Sequence, residues 1–253
     1  MTNFLNPAAQ KTVLIVGCDT EVGKTVTTSA LAAYWQRYYP EQSLGLMKLL
    51  QTGIGDQEHY QQLFGAIGHW QIVTPQQFST PVAPPIAAER EGKIIDLALV
   101  WQTLQALQQH HQRVLVEALG SLGSPVTAEL TVADIAGLWR LDCLLVVPVK
   151  LGAIGQAIAQ VALANQTNVT IKGLVLSCSS SDAEAHRDDW AAPAMLEQFT
   201  RLPVLGTIPF LDAEARLDPK RLAQAAASLD LEKMAFFPNL VRPHPLNPVG
   251  SVA

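Results

Sequence analysis

The chain is predicted to fold as an α/β domain on a mostly parallel sheet with helices on both faces. Three observations carry that prediction. Short runs rich in Val, Ile and Leu recur along the chain, apolar continuously rather than at every second residue, as in strands buried on both sides. Segments of helical periodicity separate them. A turn bearing glycine and lysine, GCDTEVGKT at residues 17–25, joins the first run to the first long helix.

Thr12–Gly17 (TVLIVG) reads as the first strand. Residues 24–39 follow as a helix, with an apolar stripe at Ala30, Leu31, Tyr34 and Tyr38 and a stop at Pro40. Leu44–Lys48 is the second strand and Asp56–Phe64 a short helix. Residues 65–85, with prolines at 75, 81, 84 and 85, read as loop. Residues 96–110 form a helix presenting Leu97, Val100, Leu104 and Leu107 on one face. The third strand is 113–117, a helix spans 127–139, and the fourth strand is 143–149. A helix at 153–165, strands at 173–177 and Val204–Ile208 with a helix at 188–200 between them, and a last helix at Pro219–Ala227 complete the pattern. No repeat or linker divides the chain, so residues 1–236 are expected to form one domain. Residues 237–253, with four prolines and no periodicity, read as a loose tail.

Composition excludes several classes. Of 253 residues, 49% are hydrophobic and 15% charged, which is too apolar for a disordered chain. A formal charge of −5 argues against a non-specific nucleic-acid binder. Cys18, Cys143 and Cys178 lack metal-ligand spacing and are too few and odd in number for a disulfide framework, as in a reducing cytoplasm. The first eleven residues do not read as a secretory signal, and the apolar run at 143–149 is too short for a bilayer span, which takes about 20 residues. The expectation is a cytoplasmic protein without membrane or nucleic-acid partners.

The turn at 17–25 has the strand–turn–helix context of a phosphate-binding loop, so the fold is predicted to be P-loop NTPase-like. Backbone N–H groups of the loop and helix start face phosphate oxygens. Lys24 neutralises β/γ-phosphate charge, the Thr25 hydroxyl ligates Mg²⁺, and Gly23 allows close backbone approach. The loop is a variant, because Cys18 stands where the usual first glycine would be and Gly17 lies one residue earlier. Asp19 occupies the position that carries a second lysine in partition and arsenical-pump ATPases, which disfavours that mode of action. Glu117, ending an apolar strand, suits a Mg²⁺-binding carboxylate held directly or through water.

GCDTEVGKTV, Lys48 at the end of the second strand, VLVEALG after the third, VKLGAIG after the fourth and GTIPFL at 206–211 occur in an order that resembles the dethiobiotin synthetases. That family carries approximately GTDTEVGKT, KPxxSG, VEGAGG, VKLG and GxIPxL, and the resemblance covers about residues 12 to 212. It implies a homodimeric P-loop enzyme with the substrate site at the interface. It further implies ATP-dependent closure of the dethiobiotin ureido ring from 7,8-diaminopelargonic acid and CO₂ or bicarbonate, with Mg²⁺.

Carried onto this chain, the resemblance makes Lys24 and Lys48 the catalytic residues. It assigns the nucleotide to Glu21, Val22, Gly23, Lys24, Thr25, Val26, Glu117, Ala118, Leu119 and Gly120, and also to Ser177, Pro209, Phe210 and Leu211. The substrate is assigned to Thr20, Thr52, Gly152, Ala153 and Ile154. Thr25, Asp56 and Glu117 are expected to hold the metal; Glu58 and His59 compete with Asp56, and spacing does not separate them. Leu49, Ala83, Ala118, Ser121, Gly155 and Ser177 depart from the family pattern. Ser177 stands for an adenine-reading Asn and offers fewer hydrogen-bonding groups, which leaves base preference open. The competing readings are a non-ligase P-loop switch, which Asp19 disfavours, and a pseudoenzyme. The second conflicts with the retention of Lys24, Thr25, Lys48 and Glu117. An amidotransferase-type synthase would need a further glutaminase domain.

Overall fold

The computed structural model describes residues 11–234 and 236–237. Among them, nine strands run in chain order: β1 (Thr12–Gly17), β2 (Leu44–Lys48), β3 (Gln51–Thr52), β4 (Gln71–Val73), β5 (Gln77–Phe78), β6 (Arg113–Ser121), β7 (Asp142–Pro148), β8 (Thr170–Ser177) and β9 (Val204–Ile208). Seven form one sheet in the order β4-β2-β6-β1-β7-β8-β9, and β3 pairs with β5 beside it. Every pairing is parallel. The helices are α1 (Lys24–Tyr38), α2 (Asp56–Phe64), α3 (Pro84–Glu91), α4 (Leu97–His110), α5 (Val132–Leu138), α6 (Ala153–Gln166), α7 (Ser181–Ala185), α8 (Arg187–Trp190), α9 (Pro193–Thr200) and α10 (Pro219–Ala227).

The continuous apolar character of β1 follows from its central place. Leu14 and Val16 enter the core under α4, α5, α6 and α9, while Val13 and Ile15 enter the core under α1, α2 and α10. Burying such side chains contributes about 1.5–3 kcal/mol each. The chain winds one way from β1 through β2 to β4, returns as β6 beside β1, then winds the other way through β7, β8 and β9. Parallel sheets collect ligands beyond the strand carboxyl ends where winding reverses. Here those ends are β2, β6 and β1.

Several elements differ from the sequence-based expectation. The loop-rich stretch 65–85 contains the short strands β4 and β5, and α3 begins at its end. Pro84 and Pro85 there open a helix instead of breaking one, because proline lacks only an N–H that the first turn leaves unbonded. The helix expected over 127–139 starts at Val132, where Thr131 and Asp134 form a capping box. Pro125 and Thr131 bridge to close the turn before it. The helix expected over 188–200 is divided, because Pro193 requires an extended residue before it and Ala192 adopts ψ 115°. The third strand runs four residues further, to Ser121.

Of the expected tail, residues 238–253 lie outside the described residues. Phe237 is buried and meets Tyr34 edge-on, with ring centroids 5.5 Å apart. Among the described residues, no helix is long and apolar enough to cross a membrane.

Candidate active site

The turn between β1 and α1 is shaped by its glycines. A Cβ on Gly17 would lie 2.6 Å from Val22 Cγ2 and 2.7 Å from the Asp19 carbonyl. The early glycine is therefore required by the tight start of this variant loop. Gly23 caps α1 at φ 91°, and a Cβ there would lie 2.1 Å from Ser177 Oγ. No side chain caps α1, so its first N–H groups are available to an anion. Lys24 Nζ donates to the Asp19 carbonyl at 2.8 Å, which holds the ammonium across the loop. Cys18 is buried, and burial pushes its thiol up to about 12, so it packs the loop as a neutral thiol.

We expect Gly23→Ala to destabilise the fold by about 1–2 kcal/mol, the cost of a left-handed conformation for an L-residue. For a domain of this size that is a fall in Tm of about 2–8 °C, readable by thermal unfolding. An unchanged Tm would show that the loop relaxes freely.

Sheet register pairs Lys48 of β2 with Glu117 of β6, and the side chains meet at 2.7 Å. Lys48 Nζ also lies 2.5 Å from Asp56 Oδ2, at the start of α2. Thr25 Oγ1, on the first turn of α1, lies 3.0 Å from both Asp56 Oδ1 and Glu117 Oε1, and its one hydrogen can be donated to either. Four residues distant in sequence thus share one cluster: a hydroxyl, two carboxylates and an ammonium. Lys48 is 5% exposed and Glu117 1%, so removing either partner would strand a buried charge. The other Glu117 oxygen, Oε2, accepts from the Tyr60 hydroxyl.

The electrostatics follow from the pairing. Burial acts to lower the Lys48 pKa, but Glu117 and Asp56 outweigh it, and the net shift is upward. Burial acts to raise the Asp56 pKa, and Lys48 with Thr25 outweighs it, so the net shift is downward. For Lys24 burial dominates, with Lys48 acting in the same direction, and the pKa is lowered. A lowered carboxylate pKa contributes stability that is present above the unfolded value and lost as pH falls through the folded one. A raised lysine pKa contributes stability that is present below the unfolded value and lost as pH rises through the folded one. The Asp56–Lys48 contribution should therefore persist across neutral pH, fade in acid below the ordinary value of 3.8 and fade in alkali above 10.5. Urea midpoints should fall at both extremes for the native chain. The acid limb should shallow in Asp56→Asn; an identical limb in that variant would contradict the pairing.

Above the cluster lies a cleft of about 930 Å³. Its wall includes Thr20, Glu21, Gly23, Lys24, Thr25, Val26, Lys48, Thr52, Asp56, Glu117, Leu119, Gly120, Ser177 and Leu211. Its donor set toward a cation consists of oxygens, two carboxylates and a hydroxyl, which suits a hard ion such as Mg²⁺ that completes its shell with water and phosphate.

A dethiobiotin synthetase of Synechocystis sp., named ATP-dependent dethiobiotin synthetase BioD, is 65% identical over 237 residues, spanning 94% of this chain and 100% of that protein. The chain belongs to the dethiobiotin synthetase family. A synthetase of the same name from Gloeobacter violaceus is 40% identical, covering 87% of this chain and 94% of its own length. A family model described as an AAA domain matches residues 11–216. Among solved structures, a ParA family ATPase from Chlorobium tepidum TLS aligns with TM-score 0.53 and 11% identity over 90% of this chain and 97% of that one. That likeness shows the shared P-loop fold.

Against the pattern of the dethiobiotin synthetase family, the remaining positions fall as follows. Val22 and Ala118 are buried and do not line the cleft. Pro209 borders a smaller hollow of about 240 Å³ next to the main one, and Leu211 lines both. Phe210 is partly exposed and outside the cleft wall. Gly152 caps α6, which Ala153 and Ile154 begin, and none of the three lines this cleft; Gly152 is left-handed at φ 85° and Ala153 is buried. Of the three acid-site candidates, Asp56 faces Thr25. Glu58 instead accepts from the Gly55 N–H at 2.9 Å, and His59 pairs with Ser29 at 3.1 Å.

The cleft wall also includes Leu50, Ser124, Pro125, Cys178, Ser179 and Arg216, none of which the sequence marked as a site residue. Arg216 lies on the 3₁₀ turn Ala215–Leu217, with its Nε bonded to the Leu211 carbonyl at 2.8 Å. Its only sequence signal was a basic residue shortly after GTIPFL. Ser124 Oγ accepts from the Ser121 N–H at 2.8 Å and fixes the turn after β6.

Proposed function

We propose that this chain closes the ureido ring of dethiobiotin from 7,8-diaminopelargonic acid, CO₂ and ATP, releasing ADP and phosphate. One observation carries the reading: Lys48 is buried at the end of β2 beside Glu117, in the cleft that the phosphate loop floors. An amine of the substrate takes up CO₂ as a carbamate. A carbamate oxygen attacks the γ-phosphorus, and the bond to the ADP oxygen breaks. The second amine attacks the carbonyl carbon of the mixed anhydride, the carbon–oxygen bond to phosphate breaks, and amine protons pass to solvent.

Two anions must approach each other, so the protein's task is to place positive charge and fix geometry. We assign Lys24 to the β/γ-phosphates and Lys48 to the carbamate and the transferring phosphoryl group. The N–H groups at the start of α1 receive phosphate oxygens, Thr20 and Thr52 face the diamine, and Ser177 faces the nucleotide. Mg²⁺ held by Thr25, Asp56 and Glu117 would neutralise charge on the β- and γ-phosphates. We further assign the chain to a cytoplasmic homodimer in which Gly152, Ala153 and Ile154 reach the substrate tail of the partner subunit. Leu151 beside them, 76% exposed, supports an intersubunit contact there. The three free cysteines support a reducing compartment.

The test is a ring-closure assay with diaminopelargonate, bicarbonate, Mg²⁺ and each nucleoside triphosphate in turn. Dethiobiotin and stoichiometric phosphate are expected with ATP. No product with any nucleotide would refute the assignment.

A further inference from the structure

Tyr60 is absent from every role assigned above, yet it touches the centre of the cluster. It lies on α2 one turn after Asp56, and residues four apart on a helix share a face. One face of α2 therefore brings both a carboxylate and a phenol up to Glu117, midway along β6. Tyr60 is fully buried, and its hydroxyl donates to Glu117 Oε2. The other oxygen, Oε1, accepts from Lys48 at 2.7 Å and Thr25 at 3.0 Å. The two oxygens of one carboxylate are thus divided between the core and the cleft.

Packing alone does not call for the hydroxyl. Phe64, one further turn along α2, is also buried and packs on Trp70 at 5.5 Å with no polar atom. A phenylalanine at position 60 would fill the same core. A phenol is an O–H donor at neutral pH, and the geometry gives it Glu117 Oε2 as acceptor.

We propose that Tyr60 is a positioning residue: its hydroxyl pins Glu117 Oε2 so that Oε1 alone is presented to Lys48, Thr25 and the metal–nucleotide side of the cleft. The proposal rests on the reading of Glu117 as a metal-holding carboxylate. Groups that orient a metal ligand through its second hydrogen bond typically alter metal affinity by about 10–100-fold when removed.

The test is Tyr60→Phe, with Mn²⁺ binding in the presence of ADP measured by electron paramagnetic resonance, independent of turnover. Affinity should fall about tenfold or more, with the KM for Mg²⁺ rising more than kcat falls. A double-mutant cycle gives the discriminating readout: in a Glu117→Ala background, Tyr60→Phe should change Mn²⁺ affinity no further. Wild-type affinity in Tyr60→Phe, or an equal loss in the Glu117→Ala background, would overturn the proposal. A wild-type measurement keeps it open to refutation should the variant fold poorly. Metal-induced infrared difference spectra with labelled glutamate should show one-oxygen ligation, and a two-oxygen signature would overturn it. If the wild-type chain with ADP binds no Mn²⁺, the metal reading of Glu117 falls, and this proposal with it. If it binds and Tyr60→Phe is indistinguishable, only the proposal falls.

Discussion

Lys48→Ala is expected to abolish ring closure while leaving ADP affinity within about threefold of the native value. Removing one preorganised charge from a developing anion costs about 10²–10³ in kcat, and here the charge faces two anions at once. The nucleotide, by contrast, should be gripped mainly by the phosphate loop, which Lys48 does not form. Stability should change as well. Lys48 pairs with Asp56 and Glu117 at 2.5 and 2.7 Å, and Glu117, 1% exposed, is shielded from solvent. Loss of one partner from a buried ion pair costs about 3–5 kcal/mol. Lys48→Ala should therefore melt well below the native chain without metal and recover part of the difference with Mg²⁺·ADP. Isothermal calorimetry, turnover and thermal unfolding check these effects together. Equal losses of nucleotide affinity and turnover would make Lys48 a structural residue.

Glu117→Ala is the second large effect. Three side chains converge on this carboxylate: Lys48, Thr25 and Tyr60. Its removal leaves the buried phenol without its carboxylate acceptor and Lys48 with Asp56 as its remaining carboxylate. Unlike Lys48→Ala, it should weaken metal-dependent nucleotide binding. Metal-free nucleotide should bind about as well as before, and turnover should fall by about 10² or more. Mg²⁺ titration of ADP binding separates the two cases. A Glu117→Ala chain whose ADP affinity still rises with Mg²⁺ as in the native protein would place the metal elsewhere.

Much of this architecture is legible in the sequence because the signals are local. The strand–GKT–helix order marks the phosphate loop, and the apolar runs mark β1, β2, β6 and β7. Glu117 is visible because it closes an apolar run; Lys48 closes one too, but a strand-end lysine is ordinarily a solvated charge, and the family resemblance is what marks it. Their adjacency is not local: it arises because β6 inserts between β2 and β1, and only sheet order shows that Lys48 and Glu117 lie in register. The choice among Asp56, Glu58 and His59 is likewise a matter of helix phase. Position 56 faces the loop, whereas Glu58 caps its own helix. Tyr60 is legible only as part of the short helix Asp56–Phe64, since a buried phenol and a buried phenyl have the same periodicity. Strands β4 and β5, of three and two residues, are too short to produce a period.

The central claim is that a carbamate oxygen meets the γ-phosphorus between Lys24 and Lys48. It is tested most directly by a single turnover with ¹⁸O-labelled bicarbonate, quenched before the label exchanges with water. The phosphate released should carry one ¹⁸O from the carbamate, formed in step with dethiobiotin and lost in Lys48→Ala. Phosphate without label, released at the same rate whether or not the diamine is present, would mean that the cleft hydrolyses ATP with water, and the account would be wrong.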